Sequence, residues 1–505
     1  MRTLLLTATL IVTMFSGRAR AADRWIEVKS PNVTVVSTTS AGMARSLVWQ
    51  LEQVRSAVKT VWPWAKVNLD RPLLVFAVGN ENDMRVLLPR YWESRNSVRP
   101  ASLLVSSPDH YFMAIRADIQ AEGQANINPH ATAYFSYVSL ILDHSVDAPL
   151  PAWLSRGLAE VLSNTIVRES NVLIGPPLPN NLRLIGERSR LRIPELVRMK
   201  ANAPELSTED GLSRFDAQSW ALVHMLMFDK NGARAGALNQ FFKLLASGVD
   251  ADKAFAEALG SPEDLERDYV LYLTKSIFSF LQLNVDVGVK REGFAQRDVP
   301  PVEAAALRSL LYTATNRPVE ARAAFADARK AAAADSGKGA TPDARETAAA
   351  ADTHAAEGFL LEREGKLDEA KAAYERAAAG GSKSPYAHYR LATLRWGANA
   401  DTETLKGIEQ LLTRAVTLNS SHADAYAMLA EVRSILGDPN ALGLALRAVQ
   451  LEPAESSHRI VSARILLRLK RNDEALKALQ AAAALPMSPE QARMVREMQA
   501  AAERR

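Results

Sequence analysis

The chain has 505 residues, 48% of them hydrophobic and 23% charged, with 61 Lys and Arg set against 57 Asp and Glu and no cysteine. Such a length and apolar content suit two or more folded domains and exclude a disordered chain. The near balance of charge gives no footprint for nucleic acid or an anionic membrane, and the lack of cysteine excludes disulfides, thiolate metal sites and thiol nucleophiles.

The first 21 residues carry Arg2, an apolar run from Leu4 to Phe15, and Ala19 and Ala21 in an A-x-A arrangement. This predicts a secretory signal peptide over 1–21, cleaved after Ala21. Its removal takes Arg2, Arg18 and Arg20 away and no acid, so the mature chain is closer still to neutral. The expected location is periplasmic or secreted, with no stable membrane insertion after cleavage, because no later apolar stretch reaches spanning length.

From residue 24 to 280 strands and helices alternate. WIEVKS, NVTVVS, PLLVFAV, SLLVSS and YFMAIRA are short, β-branched and bounded by turn formers, and they predict strands. Between the second and third, Leu47, Leu51, Val54 and Val58 form one helical stripe. After Asn128 the pattern becomes helical. The segment Ala131–Leu142 predicts a buried helix whose Ser136 and Ser139 return their hydroxyls to the backbone. PAWLSRGLAE, DAQSWALVHMLMFDK, ALNQFFKLLASG and DADKAFAEALG follow as further helices.

Several of these phrases, DRWIEVKSPNVTVVS, VWPW, LLVFAV, PAWLSRGLAE and AQSWALVHMLM, resemble in their order and spacing a bacterial family of exported peptidase-MA-like (gluzincin-type) domains, which are often joined to tetratricopeptide repeats. The resemblance covers about half of the chain. It implies an α+β metallopeptidase-like domain with a zinc site: H-E-x-x-H on one helix and a glutamate before the glycine of the following W-L-x-E-G-x-A-E phrase. Two histidines four apart share a helix face, the intervening glutamate takes a proton from metal-bound water, and an anionic third ligand completes the site. By motif position the first histidine falls on Phe135, the glutamate on Ser136, the second histidine on Ser139 and the third ligand on Arg156. A phenyl ring cannot ligate, no general base remains, and a guanidinium stands where a dication would sit. Neither zinc nor another cofactor is therefore expected, and the domain is expected to be a non-catalytic peptidase shell. Glu160, which matches the last acid of the family phrase, is a candidate cleft residue expected to pair with Arg156. His224, which resembles another family position, is a candidate cleft residue or a satisfied core histidine.

The stretch 281–301 breaks the helical pattern with glycine and a proline pair and predicts a linker. Beyond it, alanine dominates and a repeat emerges. Gly358, Ala392, Ala430 and Ala463 lie 34, 38 and 33 apart, and Ala377, Ala415, Ala448 and Ala482 lie 38, 33 and 34 apart. Each of the first three alanines of the second series precedes the next member of the first by 15 residues. A repeated helix-turn-helix unit gives that spacing, with small residues where helices approach closely. GKLDEAKAAYERA, with Ala370, Tyr374 and Ala377, and RAVQLEP, ending in Pro453, resemble the tetratricopeptide pattern, as does Ala475 in the last unit. The predicted array is an all-α solenoid of about four repeats over 351–498. A divergent hairpin over 302–334 precedes it, containing Ala321, Phe325 and Ala328, and a flexible loop fills 335–350. His388, Arg395 and Arg433 are candidates to line its groove.

The expected function is an exported scaffold or adaptor that binds a protein or peptide through the array, with no enzymatic activity. Two alternatives stay open. One is an active metal-dependent peptidase with ligands relocated among His130, Asp143, His144, Asp147 and Glu160. The other is an interaction protein of the repeats alone, with the first domain as a structural cap.

Overall fold

A computed structural model describes residues 24–95, 99–120, 127–146, 150–186, 190–284, 290–336, 344–397 and 400–503. The expected signal peptide lies outside the described residues, as does Asp147. Among the described residues no helix is long and apolar enough to cross a membrane.

The five expected strands form as β1 (Trp25–Lys29), β2 (Val33–Ser37), β3 (Leu73–Val78), β4 (Ser102–Ser106) and β5 (Tyr111–Arg116), with α1 (Ala41–Val61) after β2 and α2 (Glu81–Leu87) after β3. The chain continues through α3 (Ala131–Ser145), α4 (Ala152–Ser163), the short strands β6 (Ile166–Val167) and β7 (Val172–Ile174), α5 (Pro179–Gly186), α6 (Ile193–Arg198) and α7 (Glu209–Phe228). Helices α8 (Ala235–Ala246), α9 (Ala251–Leu259) and α10 (Pro262–Leu273) follow, then β8 (Leu281–Leu283) and β9 (Ala295–Val299). The large sheet has the order β4-β5-β3-β2-β1-β9, with β2, β3 and β5 parallel and the other pairings antiparallel; β6, β7 and β8 form a second, small sheet.

Strand alternation sends Val28, Val35, Val75 and Met113 to the core shared with α1, α3, α4 and α7. Trp25, Val36, Phe76 and Phe112 point to the opposite face. All six residues of β3 are buried, which is why LLVFAV is an unbroken apolar run.

The expected linker over 281–301 is corrected by β8 and β9. The strand β9 pairs along β1 with Trp25 opposite Val299, and Arg297 bridges Glu27 and Glu303, with Nη2 2.6 Å from Glu27 Oε2. It is an edge strand with a mostly exposed, polar sequence, AQRDV.

Among the described residues ten further helices form five hairpins: α11 (Pro301–Ala314) with α12 (Pro318–Ser336), α13 (Ala344–Arg363) with α14 (Leu367–Ala379), α15 (Pro385–Arg395) with α16 (Thr402–Leu418), α17 (Ala423–Ile435) with α18 (Ala441–Leu451), and α19 (Ser456–Arg468) with α20 (Asn472–Ala483). A further helix, α21 (Pro489–Glu503), follows and packs on the last hairpin of the tetratricopeptide-like array. Ala370, Ala377, Ala392, Ala415, Ala430, Ala448, Ala463, Ala475 and Ala482 are all fully buried at helix crossings, while Pro453 is exposed in the turn after α18. A Cβ on Gly358 would stand 2.6 Å from the ring of Tyr374, so the tyrosine fills the space the glycine leaves.

The boundaries shift in two ways. The expected loop over 335–350 shortens, since α13 begins at Ala344; residues 337–343 lie outside the described residues. The first hairpin also belongs to both halves of the molecule. Ala304 and Leu311 of α11 close the second face of the sheet with Phe76 and Phe112, while its Tyr312 packs with Phe325, Ala356 and Leu360 of the array.

Candidate functional site

Helices α3 and α4 bring two of the four motif positions, Phe135 and Arg156, into contact. The guanidinium of Arg156 lies over the ring of Phe135, 5.3 Å from its centroid. Ser136 donates to the carbonyl of Thr132 at 3.1 Å, as a helical serine does when it has no other partner, and Ser139 is half-buried one turn beyond Phe135. The expectation of an all-round buried helix is corrected: Tyr134, Tyr137, Val138, Ile141 and Leu142 are buried, and the face carrying Phe135, Ser136 and Ser139 is only half-covered.

Arg156 does not pair with Glu160. It makes a two-pronged pair with Asp216 on α7, with Nε on Oδ1 and Nη2 on Oδ2 at 2.6 Å, and Asp216 keeps only 13% of its side-chain exposure. The fork geometry of guanidinium and carboxylate explains the choice, because an acid on a facing helix can meet both nitrogens end on. Sequence reasoning missed Asp216, which lies 60 residues from its partner; the available signal was a lone acid at the start of the apolar run AQSWALVHMLM.

Glu160 instead accepts from Asn181 Nδ2 at 3.1 Å, and burial pushes its carboxyl up to about 7, an effect opposed by that hydrogen bond and added to by Asp216. The close contact of α4 with α7 depends on Gly157, where a Cβ would stand 2.5 Å from the carbonyl oxygen of Ser219. The glycine of the phrase WLSRGLAE thus places Arg156 within reach of Asp216.

His224 is 0% exposed. Its Nε2 lies 2.7 Å from the Gly175 carbonyl, which only accepts, so Nε2 carries the hydrogen and Nδ1 accepts from the Tyr272 hydroxyl at 2.5 Å. Burial pushes its pKa down to about 4, against the opposing pull of the Gly175 carbonyl. It is therefore a neutral histidine with both nitrogens partnered, set among Trp220, Phe228 and Phe278.

His130 precedes α3 and is buried, with its imidazole held below the ordinary value by that burial. His144 sits in the last turn of the same helix, 3.7 Å from Asp70. Fourteen residues of helix separate the two by about 20 Å, so one ion cannot reach both. Asp143 is exposed beside His144.

In the array, His388 is buried and bound through Nε2 to the Ser382 carbonyl at 3.0 Å, which corrects its expected place in the groove. Arg395 and Arg433 each tie a first helix to the preceding second helix, through Glu375 and Glu409, both at 2.9 Å. A different set of residues presents rings along successive first helices. Phe359, Tyr386, Tyr389 and His422 step from α13 through α15 to the start of α17, at centroid distances of 5.6, 6.5 and 4.8 Å, and all are half-buried. Beneath them, Glu362 accepts from Tyr374 Oη at 2.9 Å and from Arg390.

The sheet domain reaches this edge through the β4–β5 turn. Asp109 accepts from the backbone N–H of Tyr386 at 2.8 Å and from the hydroxyl of Ser384, which itself caps α15. Burial raises the Asp109 carboxyl to about 6, against the lowering effect of those two hydrogen bonds.

No protein-family model matches the sequence, and no curated protein is significantly similar to it. Solved structures similar to it include YrrB, a TPR protein with an unusual peptide-binding site, at 20% identity over 35% of this chain and 82% of that one, with a TM-score of 0.28. MamA matches at 18% identity over 33% of this chain and 92% of its own, with a TM-score of 0.24. PilF of Pseudomonas aeruginosa matches at 16% identity over 40% of this chain and 88% of its own, with a TM-score of 0.28.

Proposed function

We propose that the protein is an exported, non-catalytic adaptor in which a peptidase-like domain without its metal site caps a tetratricopeptide array that binds a segment of another protein. The observation that carries the first part is the meeting of Phe135 with Arg156, and of Arg156 with Asp216. Two of the motif positions, Phe135 and Arg156, touch, and they offer a ring and a matched ion pair in place of ligands and a base, which supports the reading of an emptied site. Export rests on the N-terminal sequence pattern.

The capping role is favoured by α11, which packs on both the sheet and the array, and by Asp109, which holds the start of α15. Partner binding is assigned to the ring edge of Phe359, Tyr386, Tyr389 and His422. Half-buried rings along first helices offer apolar area at little conformational cost.

The experiment has two arms. The mature chain is incubated with an unfolded protein and zinc, and no cleavage is expected; zinc-dependent cleavage abolished by His130→Ala or His144→Ala would overturn the non-catalytic reading. A photo-crosslinking residue is then placed at Tyr389 or, as a control, at Arg493 on α21, in cells that make the protein. A discrete adduct from position 389 alone is expected, and equal labelling at both positions would remove the ring edge as the binding face.

A further inference from the structure

A second gathering of metal-ligating side chains lies in the array, away from the α3–α4 face. Asp424 stands in the first turn of α17, Glu452 directly follows α18, and His458 stands in the first turn of α19. Their ligand atoms lie within 4.8 Å of one another. His458 is held rigidly, with 1% of its side chain exposed, and its Nε2 is 3.1 Å from Asp424 Oδ1, whereas Asp424 keeps 55% of its exposure. Among the described residues the buried Nδ1 of His458 has no hydrogen-bond partner. Without a cation Nε2 donates to the Asp424 carboxylate, which only accepts; a bound cation would displace that hydrogen, and the unpartnered Nδ1 is free to carry it while Nε2 turns its lone pair to the metal.

We propose that Asp424, Glu452 and His458 form a binding site for one divalent transition-metal cation of the zinc class. The donor set is one imidazole nitrogen and two carboxylate oxygens, a combination that suits zinc, cobalt or nickel better than calcium or magnesium, which favour oxygen donors alone. Ligand atoms bound to one such ion lie about 3–4.5 Å apart. The observed cluster needs a shift of about an ångström to reach that spacing, and Glu452, exposed and flexible, can supply it. The exposed carboxylates leave the remaining coordination positions to water.

The three ligands come from two consecutive hairpins, so the ion would clamp α19 and the end of α18 to the start of α17. His422, two residues before Asp424, packs against Tyr389 of α15, a helix whose start is held by Asp109 of the sheet domain, so the site lies near the seam between the two halves. This inference does not rest on the peptidase-like reading.

The test titrates the chelator-stripped mature chain with Zn²⁺ by calorimetry and with Co²⁺ by visible absorbance. One equivalent is expected, and the cobalt form should show the absorption of a site with a nitrogen ligand. Asp424→Asn and Glu452→Gln replace exposed residues and keep the fold, as circular dichroism will show; each should weaken binding by at least about tenfold. His458→Asn should do the same, but as a buried substitution it is read only alongside those two. His130→Ala and His144→Ala should leave the titration unchanged. Failure of the wild-type chain to bind an equivalent of Zn²⁺, or unchanged binding in the Asp424→Asn/Glu452→Gln variant, overturns the proposal.

Discussion

The two gatherings of ionisable side chains differ in how their charges are matched. At the α3–α4 face, Arg156 has both prongs on Asp216 and its flat side on Phe135, while Glu160 has Asn181. At the seam, one imidazole faces two exposed carboxylates, so acceptors outnumber donors. The first cluster is closed and contributes to the fold; the second is open toward solvent and toward a cation. The same residue types therefore serve opposite ends according to whether their hydrogen-bonding capacity is already filled.

That contrast can be broken most severely at Gly157. Gly157→Ala forces a methyl group into the Ser219 backbone, which cannot give way as a side chain can, and should destabilise the sheet domain by about 3 kcal/mol in a urea titration. A loss near zero would mean that α4 and α7 are not closely apposed.

Removing the cation of the closed cluster comes next. Arg156→Ala leaves Asp216 half-buried without its partner, and with allowance for the 31% exposure of Arg156 the expected cost is about 2 kcal/mol. A second change, Asp216→Asn, should restore part of that loss, and a cycle of the two variants measures the coupling directly.

The third prediction concerns pH. Glu160 has a folded pKa of about 7, above its ordinary 4.5, so the folded state retains the proton that the unfolded state has released. Its contribution is fully present below about 4.5 and is lost as pH rises toward 7, a swing of about 3 kcal/mol. Glu160→Gln should flatten this slope between pH 4.5 and 7 while leaving stability at pH 4 nearly unchanged; an undiminished slope would point to a different group.

The smallest effect sharpens the contrast from the other side. Without added metal, Asp424→Asn should change stability by less than about 0.5 kcal/mol, as expected for an exposed member of an open cluster. A thermal melt showing a loss as large as that of Arg156→Ala would make the two clusters alike.

Much of the architecture was legible because its determinants are local. Strands β1 to β5 announce themselves by β-branched residues between turns, and the hairpins by small residues that close helix packing demands at a fixed period. The strand β9 was not legible, since AQRDV lacks an apolar alternation; it is held at an edge by backbone pairing and by Arg297, whose partner Glu27 is 270 residues away. Asp216 was hidden for the same reason: no spacing rule links it to Arg156. The seam cluster escaped a search for histidines four apart because its ligands sit on neighbouring hairpins, with Asp424 and His458 separated by 34 residues, and only stacking of the repeats makes them adjacent.

The sharing of α11 between two cores has a consequence for how such a chain can lengthen. At one end the array meets the sheet through Ala304 and Leu311, and at the other α21 lays Val495 on the last hairpin and turns Arg493 and Glu497 to solvent. Between those two places each hairpin lies against its own kind, so a unit duplicated inside the array would meet the surfaces its parent already packs on, whereas one inserted between the sheet and α11 would meet an unlike one.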